Sequence, residues 1–392
     1  MFNTAIKYNI SLSVPFLRGK ELKYVKECIE KEWISSAGSF VDMFENKVAD
    51  YAGTKYAISC VNGTAALHIA LILAGVTKGD SVIVPTITFI APVNAAKYVG
   101  ADPIFMDCDG FLNMDVNKVR EFCKYECKFM NGKLINKKTG SHIKAVIAVH
   151  VFGNPVDLES LDDVAKKYNL KIIEDAAESI GSFYTKGRLK GKKTGTIGDV
   201  GCYSFNGNKI ITSGAGGMVL TNNSYYAKQA KYLTTQAKDD NLRYIHNEIG
   251  YNYRMTNLSA ALGCAQLEQL DKFIGIKRRN YLAYKKYIDE IEGLKLIGEP
   301  DYGFSNFWFY SLIVEEKIYG MNRDQLHERL KRKGIQSRFL WHLNHLQKPY
   351  KDYENYKIEK AYYFSERILN IPCSIGITEN EIKKVVKALK ND

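Results

Sequence analysis

Four short apolar runs recur along the first half of the chain with helix-like segments between them: Val82-Ile83-Val84, Pro103-Ile104-Phe105-Met106, Ala145-Val146-Ile147-Ala148-Val149 and Leu170-Lys171-Ile172-Ile173. A strand with one face in water alternates apolar and polar residues, so unbroken runs of this length require burial on both faces. Helices between such strands supply both the cover and the long crossovers that parallel pairing needs. The pattern predicts an α/β fold with a large, mostly parallel sheet flanked by helices. With 392 residues, 46% of them hydrophobic, the chain is long enough for such a sheet domain and a smaller partner.

Other segments fill in this outline. Leu22, Val25, Ile29 and Trp33 recur at helical spacing between Lys20 and Trp33, which predicts an amphipathic helix packed on the body. A second helix is expected from Gly63-Thr64-Ala65 through Leu67, Ala70, Leu71 and Ala74, ending at Gly75. The polar stretch 121–141 carries the hairpin signal Asn131-Gly132 and reads as a surface insertion. Leu258, Leu262 and Ala265, then Tyr281, Tyr284, Ile288 and Ile291, predict a long helix or helix pair leaving the sheet domain. A smaller C-terminal α/β domain follows, with a strand in Phe307–Val314, and a capping box at Thr378–Glu381 opens a terminal helix. The expected division is an N-terminal segment at 1–35, a large domain at 36–255, and a connecting helix with a small domain at 256–392.

Several function classes drop out. The N-terminus lacks an apolar signal core, and no stretch nears the roughly 18 apolar residues of a membrane span, so a soluble cytoplasmic protein without a membrane partner is expected. Among eight scattered cysteines only Cys123 and Cys127 are close, without the further ligands of a zinc site, so buried reduced thiols are expected and no metal. The phosphate-loop pattern GxxxxGK[ST] and the dinucleotide pattern GxGxxG are absent. The net charge of +12 suits an anionic partner, but the basic residues are dispersed and no nucleic-acid-binding motif occurs. The run Lys186–Lys193 reads as a solvated loop.

The chemistry concentrates at two places. Asp175 ends an apolar strand, where open parallel sheets bind their ligands, although a helix N-cap is an alternative role. Lys209 follows Ser204-Phe205-Asn206-Gly207-Asn208 and precedes the glycine-rich Gly214–Gly217; small flanking residues let the backbone approach a flat ligand. A lysine that forms a Schiff base, with a carboxylate that keeps a pyridine nitrogen protonated, is the pair pyridoxal phosphate requires. The expected helix start at Asn62-Gly63-Thr64 offers backbone N–H groups to a phosphate, with Ser204 as a second donor; for Thr64 an ordinary helix start is the alternative.

The motifs NGTAALHIAL (62–71), TFIAPVNA (88–95), EDAAESIGS (174–182), CYSFNGNKIITSGAGGMV (202–219), GYNYRMTN (250–257), HLNHLQKPY (342–350) and ILNIPCSIGITENEI (368–382) occur in order. Together they make the chain resemble the nucleotide-sugar aminotransferases of the DegT/DnrJ/StrS family, which use pyridoxal phosphate on the aspartate-aminotransferase fold (fold type I). The resemblance implies that Lys209 is the Schiff-base lysine, that Asp175 partners the pyridine nitrogen, and that Phe89 stacks on the ring. Glu178 falls near the cofactor's 3-hydroxyl, where many members have Gln or His. Gly63, Thr64 and Ser204 are implied to hold the phosphate, and Asn252 to reach the phosphate in the neighbouring subunit, which makes the enzyme a homodimer with shared active sites.

A lysine at 209, where a dehydratase branch of the family carries His, favours transamination from L-glutamate to a nucleotide-linked keto sugar. SFNGNKIIT, TTQAK (234–238) and the polar insertion resemble members that act at C4 of UDP-linked 4-keto-6-deoxy-hexoses of the 2-acetamido type in bacterial surface glycan synthesis. The alternatives are a C3 aminotransferase on a dTDP-3-keto-6-deoxy sugar, a GDP-4-keto sugar aminotransferase, or a pyridoxal-phosphate-binding or nucleic-acid-binding regulator without catalysis. Trp33, Ser35, Ser36, Asn206, Tyr251, Arg254, Arg338, His342 and His345 lie in matching segments as candidate substrate contacts. The two histidines lack the carboxylates or cysteines of a metal pair.

Overall fold

A computed structural model describes residues 8–240 and 242–390; the first seven residues of the expected N-terminal segment lie outside them. The described residues build a ten-stranded sheet whose main path runs Tyr56–Cys60, Gly217–Thr221, Val200–Ser204, Lys171–Asp175, His142–Val149, Ser81–Pro85, Asp102–Met106 and Asn355–Tyr356. From Val200–Ser204 to the far edge every neighbouring pair on this path is parallel. Gly217–Thr221 runs antiparallel to both of its neighbours.

Each apolar run does what two-sided burial demands. Val82, Val84, Ala145 and Ile147 join one buried cluster, whereas their alternates Ile83, Val146 and Ala148 join a second. The sheet therefore has a core on each face, and the absence of polar alternation in these strands has a physical cause.

The segment 121–141 does contain a hairpin, Cys127–Met130 paired with Lys133–Asn136, with Asn131 and Gly132 both at positive φ as a type I′ turn requires. It is more than a surface insertion, because its second strand pairs with His142–Val149 and buries Leu134 completely. Beyond it, the helices Asn257–Leu267 and Leu270–Ile288 form a pair rather than one rod.

A four-stranded antiparallel sheet follows, ordered Leu294–Leu296, Tyr310–Val314, Ile368–Ile371 and Arg338–Phe339. The strand expected over Phe307–Val314 begins only at Tyr310, since Phe307 takes a left-handed φ of 48° that breaks the extended chain. The C-terminal part also reaches back: Asn355–Tyr356 adds to the large sheet, and Gly303–Phe304 pairs with Phe183–Tyr184. Thr378 and Glu381 form the capping box of the helix Glu379–Leu389.

The first helix corrects the expectation drawn from its spacing. It spans Glu21–Glu30, and Leu22, Ile29 and the following Trp33 are 80%, 60% and 57% exposed. The buried side carries Glu21 and Cys28 instead. Glu21 accepts hydrogen bonds from Gln266 Nε2 (2.6 Å), Gln269 Nε2 (3.1 Å) and the Gly19 amide (2.7 Å), and Tyr24 donates to Glu268 (2.8 Å). Satisfied polar groups fasten this helix to the body, and its apolar face points away.

Candidate active site

Parallel strands end along one edge, and that edge gathers the chemistry. A cleft of about 440 Å³ there is lined by Gly63 and Thr64 beyond one strand, Thr88 and Phe89 beyond a second, Phe152 beyond a third, Asp175 and Glu178 at a fourth, and Ser204, Asn206, Asn208 and Lys209 at a fifth. Trp308, Phe309, Arg338, Trp341 and Asn370 close it from the C-terminal part.

The helix Gly63–Leu73 starts at this edge. Asn62 caps it, its side chain accepting from the Ala65 amide at 2.8 Å, and helical geometry leaves the Gly63 and Thr64 N–H groups without an intrahelical acceptor. A Cβ at Gly63 would stand 2.9 Å from the Ser204 Cβ, and one at Gly217 would stand 2.3 Å from the Asn62 carbonyl oxygen. Only glycines let this helix start press onto the strand ends and bring its free amides beside the Ser204 hydroxyl. The result is an anion cradle.

Asp175 ends its strand, and the residues after it form turns, so there is no helix for it to cap. Its Oδ1 accepts the Ala177 amide at 3.1 Å. Burial raises its carboxyl above the usual range, against the opposing pull of that amide, Lys209 and His150. Glu178 is similarly buried and is pushed up to about 7, because desolvation outweighs the Lys209 charge and the Phe152 amide that accompany it. Its Oε1 lies 3.5 Å from Lys209 Nζ, and its Oε2 accepts from Phe152 N at 2.9 Å. Phe152 adopts φ 54° and ψ 21°, a left-handed conformation rare for an aromatic residue, and thereby aims its amide at that carboxylate.

His150 lies just behind. Its Nδ1 accepts the Val156 amide at 3.1 Å, so the ring proton sits on Nε2, which donates to Glu174 Oε2 at 3.0 Å. Glu174 also accepts the amides of Gly195, Ile197 and Gly198. This buried pair fixes the floor beneath Asp175, whose carbonyl takes the His150 amide at 3.1 Å.

Of the residues singled out by sequence, Gly63, Thr64, Phe89, Asp175, Glu178, Ser204, Asn206, Lys209 and Arg338 meet in this one cleft. Trp33 borders a separate hollow with Cys28 and Asn257, and the Ser35 carbonyl accepts the Asn257 amide at 2.6 Å. Ser36, Tyr251, Asn252 and Arg254 are also off the cleft of their own chain; Tyr251 stacks on Tyr253 at 5.1 Å, and Asn252 is exposed beside Thr235. His345 is corrected as a substrate contact. It is 4% exposed, with Nδ1 2.6 Å from Thr86 Oγ1 and Nε2 2.9 Å from Tyr362 OH, so both ring nitrogens are engaged. His342 is exposed and does not line the cleft.

All eight cysteines are free and buried, and among the described residues no three His, Cys, Asp or Glu side chains gather as a metal site. No helix among them is long and apolar enough to cross a membrane. In the basic run, Lys186 pairs with Asp301 and Arg188 with Asp163.

Sequence reasoning missed Phe152, Trp308, Trp341 and the His150–Glu174 pair. His150 follows an apolar strand at its carboxyl end, as Asp175 ends one, and that shared position was the available signal. Trp308 lies in a stretch that read as plain strand.

The donor set fits pyridoxal phosphate: an amine for an aldehyde, a desolvated carboxylate for a pyridinium N–H, and a helix start with a hydroxyl for a phosphate. The sequence profile of the DegT/DnrJ/EryC1/StrS aminotransferase family matches residues 15–390. GDP-perosamine synthases of Caulobacter vibrioides and Vibrio cholerae are each 38% identical to this chain, covering 97% and 96% of it and 97% of each relative. The crystal structure of a DegT DnrJ EryC1 StrS aminotransferase from Brucella abortus superposes with a TM-score of 0.85 at 27% identity, covering 94% of both chains. A cleft with this chemistry at the strand ends, on a chain related to these proteins over nearly its whole length, makes it a member of the DegT/DnrJ/EryC1/StrS family, the pyridoxal-phosphate-dependent aminotransferases of nucleotide-linked sugars.

Proposed function

We propose that this enzyme moves the amino group of L-glutamate to C4 of a GDP-linked 4-keto-6-deoxy-hexose for surface-glycan synthesis. One observation carries the choice of nucleotide: the end-to-end similarity to proteins named GDP-perosamine synthases. The UDP-linked sugar suggested by local motifs gives way to the GDP-linked alternative, because likeness over the whole chain outweighs likeness in a few short segments.

When bound, pyridoxal phosphate supplies an aldehyde that takes up the amino group and a ring that accepts electron density. Lys209 Nζ is the group that takes up and returns the proton at carbon. Asp175 holds a proton at the ring nitrogen, a role suited to a desolvated carboxylate that gains from a cationic partner. The Gly63 and Thr64 amides and Ser204 Oγ hold the phosphate, Phe89 covers the ring, and Arg338 and Asn206 face the sugar nucleotide.

The working unit is a homodimer in which Asn252 serves the neighbour's site. Its exposure outside its own cleft supports that reading, as do the 86% and 84% exposed Leu242 and Ile249 of the preceding loop. The test is a panel of GDP-, UDP- and dTDP-linked 4-keto and 3-keto sugars with glutamate, read by product mass and NMR. Amination of the GDP-linked 4-keto sugar at the highest kcat/KM is expected; a higher value for a UDP- or dTDP-linked sugar overturns the assignment.

A further inference from the structure

Asn252 is exposed, but the chain on either side of it is held. The segment 250–253 lies along 233–236 through the Thr235–Asn252 bridge and three backbone bonds. Tyr251 N–H donates to the Leu233 carbonyl at 2.7 Å, Tyr253 N–H to the Thr234 carbonyl at 3.1 Å, and Gln236 N–H to the Tyr251 carbonyl at 3.1 Å. Gln236 and Ala237 turn one end of this ribbon at φ 70° and 50°, and Gly250 has no room for a Cβ against their backbone. A two-stranded ribbon this short is marginal by itself, so its orientation has to come from the body it packs on.

In an extended chain successive side chains point to opposite faces, so Tyr251 and Tyr253 share the face that Asn252 turns away from. The two phenols stack at 5.1 Å with their planes 21° apart. His68, 6% exposed, meets Tyr251 edge-on at 4.8 Å, and its Nδ1 lies 3.2 Å from the Tyr253 hydroxyl. The Val61 amide adds a bond to the Tyr253 carbonyl at 2.7 Å. Val61 directly precedes the cap Asn62, and His68 sits in the second turn of the helix Gly63–Leu73. One piece of chain therefore carries the phosphate-binding amides of its own cleft and the anchor of the ribbon that offers Asn252 outward.

We propose that Tyr253 and His68 are positioning residues for Asn252: the phenol stack seated on the imidazole sets the direction in which that side chain meets the cofactor phosphate of the neighbouring subunit. This rests on the reading that Asn252 serves the neighbour's site, and it adds what aims the residue.

Heterodimers purified through two different affinity tags, with Lys209→Ala in one chain, keep a single site whose lysine can be joined to the cofactor. That site draws its Asn252 from the Lys209→Ala chain. The heterodimers are dialysed against graded pyridoxal phosphate and treated with sodium borohydride, and the fraction of Lys209 carrying the cofactor is counted by mass spectrometry. Tyr253→Ala in the Lys209→Ala chain is expected to weaken retention about 3- to 10-fold, since a donor aimed badly forfeits much of a hydrogen bond to a charged group. The same substitution in the chain with the intact lysine is expected to change retention by less than about 2-fold. Because alanine can loosen the fold, Tyr253→Phe is made in both arrangements as well. It keeps the stack and loses only the bond to His68, and a weakening of about 2- to 3-fold is expected, again only from the Lys209→Ala chain. Equal weakening in the two arrangements, or unchanged retention in both Tyr253→Phe heterodimers, overturns the proposal. Failure of the shared-site reading has a separate signature: Asn252→Ala would then weaken retention equally from either chain, or from neither.

Discussion

Replacing Glu178 by Gln tests whether the cleft holds a carboxyl displaced toward neutrality. Burial moves this group from an ordinary 4.5 to about 7 in the folded protein. Between those values the folded chain holds more protons than the unfolded chain, so stability falls as pH rises. Integrated from pH 5 to pH 8, that difference in bound protons amounts to a loss on the order of 2 to 3 kcal/mol. In Glu178→Gln this contribution is absent. Asp175, also raised by burial, is present in both proteins and cancels to first order in the difference.

The assay is urea unfolding of cofactor-free wild type and variant at pH 5 and pH 8, at one fixed protein concentration because subunit association shifts apparent stability. The wild type should lose roughly 2 to 3 kcal/mol more than the variant between the two pH values. Equal losses would show that Glu178 is ionised across this range, and would refute the claim that desolvation outweighs the 3.5 Å contact with Lys209.

Two further outcomes probe the cradle and the shared site. Gly63→Ala places a Cβ 2.9 Å from the Ser204 Cβ and should weaken retention of pyridoxal phosphate about 10-fold, measured by equilibrium dialysis; wild-type retention would remove the helix start from the phosphate site. Lys209→Ala should abolish transamination and Asn252→Ala should reduce it, whereas mixed dimers of the two regain activity through one intact site. No recovery on mixing counts against a site built from two chains.

The large sheet was legible because burial on both faces leaves an unmistakable pattern. The same reasoning singled out Asp175, since ligands of parallel sheets gather where strands end, whereas Lys209 stood out by its small, glycine-rich flanks; both line the same cleft. Gly63, Thr64 and Ser204 stood out by their neighbourhoods, and Glu178 only through the family resemblance. Trp308 did not, because Lys209, which its ring faces, is distant in sequence and the intervening chain carries no periodicity that says where it returns. Phe152 was hidden for another reason: its function rests on a left-handed φ, and nothing in an aromatic residue announces that conformation. His345 shows the converse error, in which proximity in a matching segment suggested substrate contact while Thr86 and Tyr362 already occupy both ring nitrogens.

The first helix shows what periodicity can and cannot measure. Leu22, Val25 and Ile29 do fall on one stripe, but a stripe identifies the apolar side of a helix without naming what covers it. Here the body of the same chain takes the opposite side, through Glu21 and its bonds to Gln266 and Gln269. A carboxylate buried at 6% exposure would be costly without those donors, so the polar contact is specific and fixes the rotation of the helix. The apolar stripe is then left facing outward on a single chain, and the proposed homodimer would offer it a place to be buried. If the proposed dimer buries this stripe, dilution to the monomer should expose Leu22 and Ile29 to water and deprive each cleft of Asn252 at the same time, and a monomer with full activity would sink both ideas.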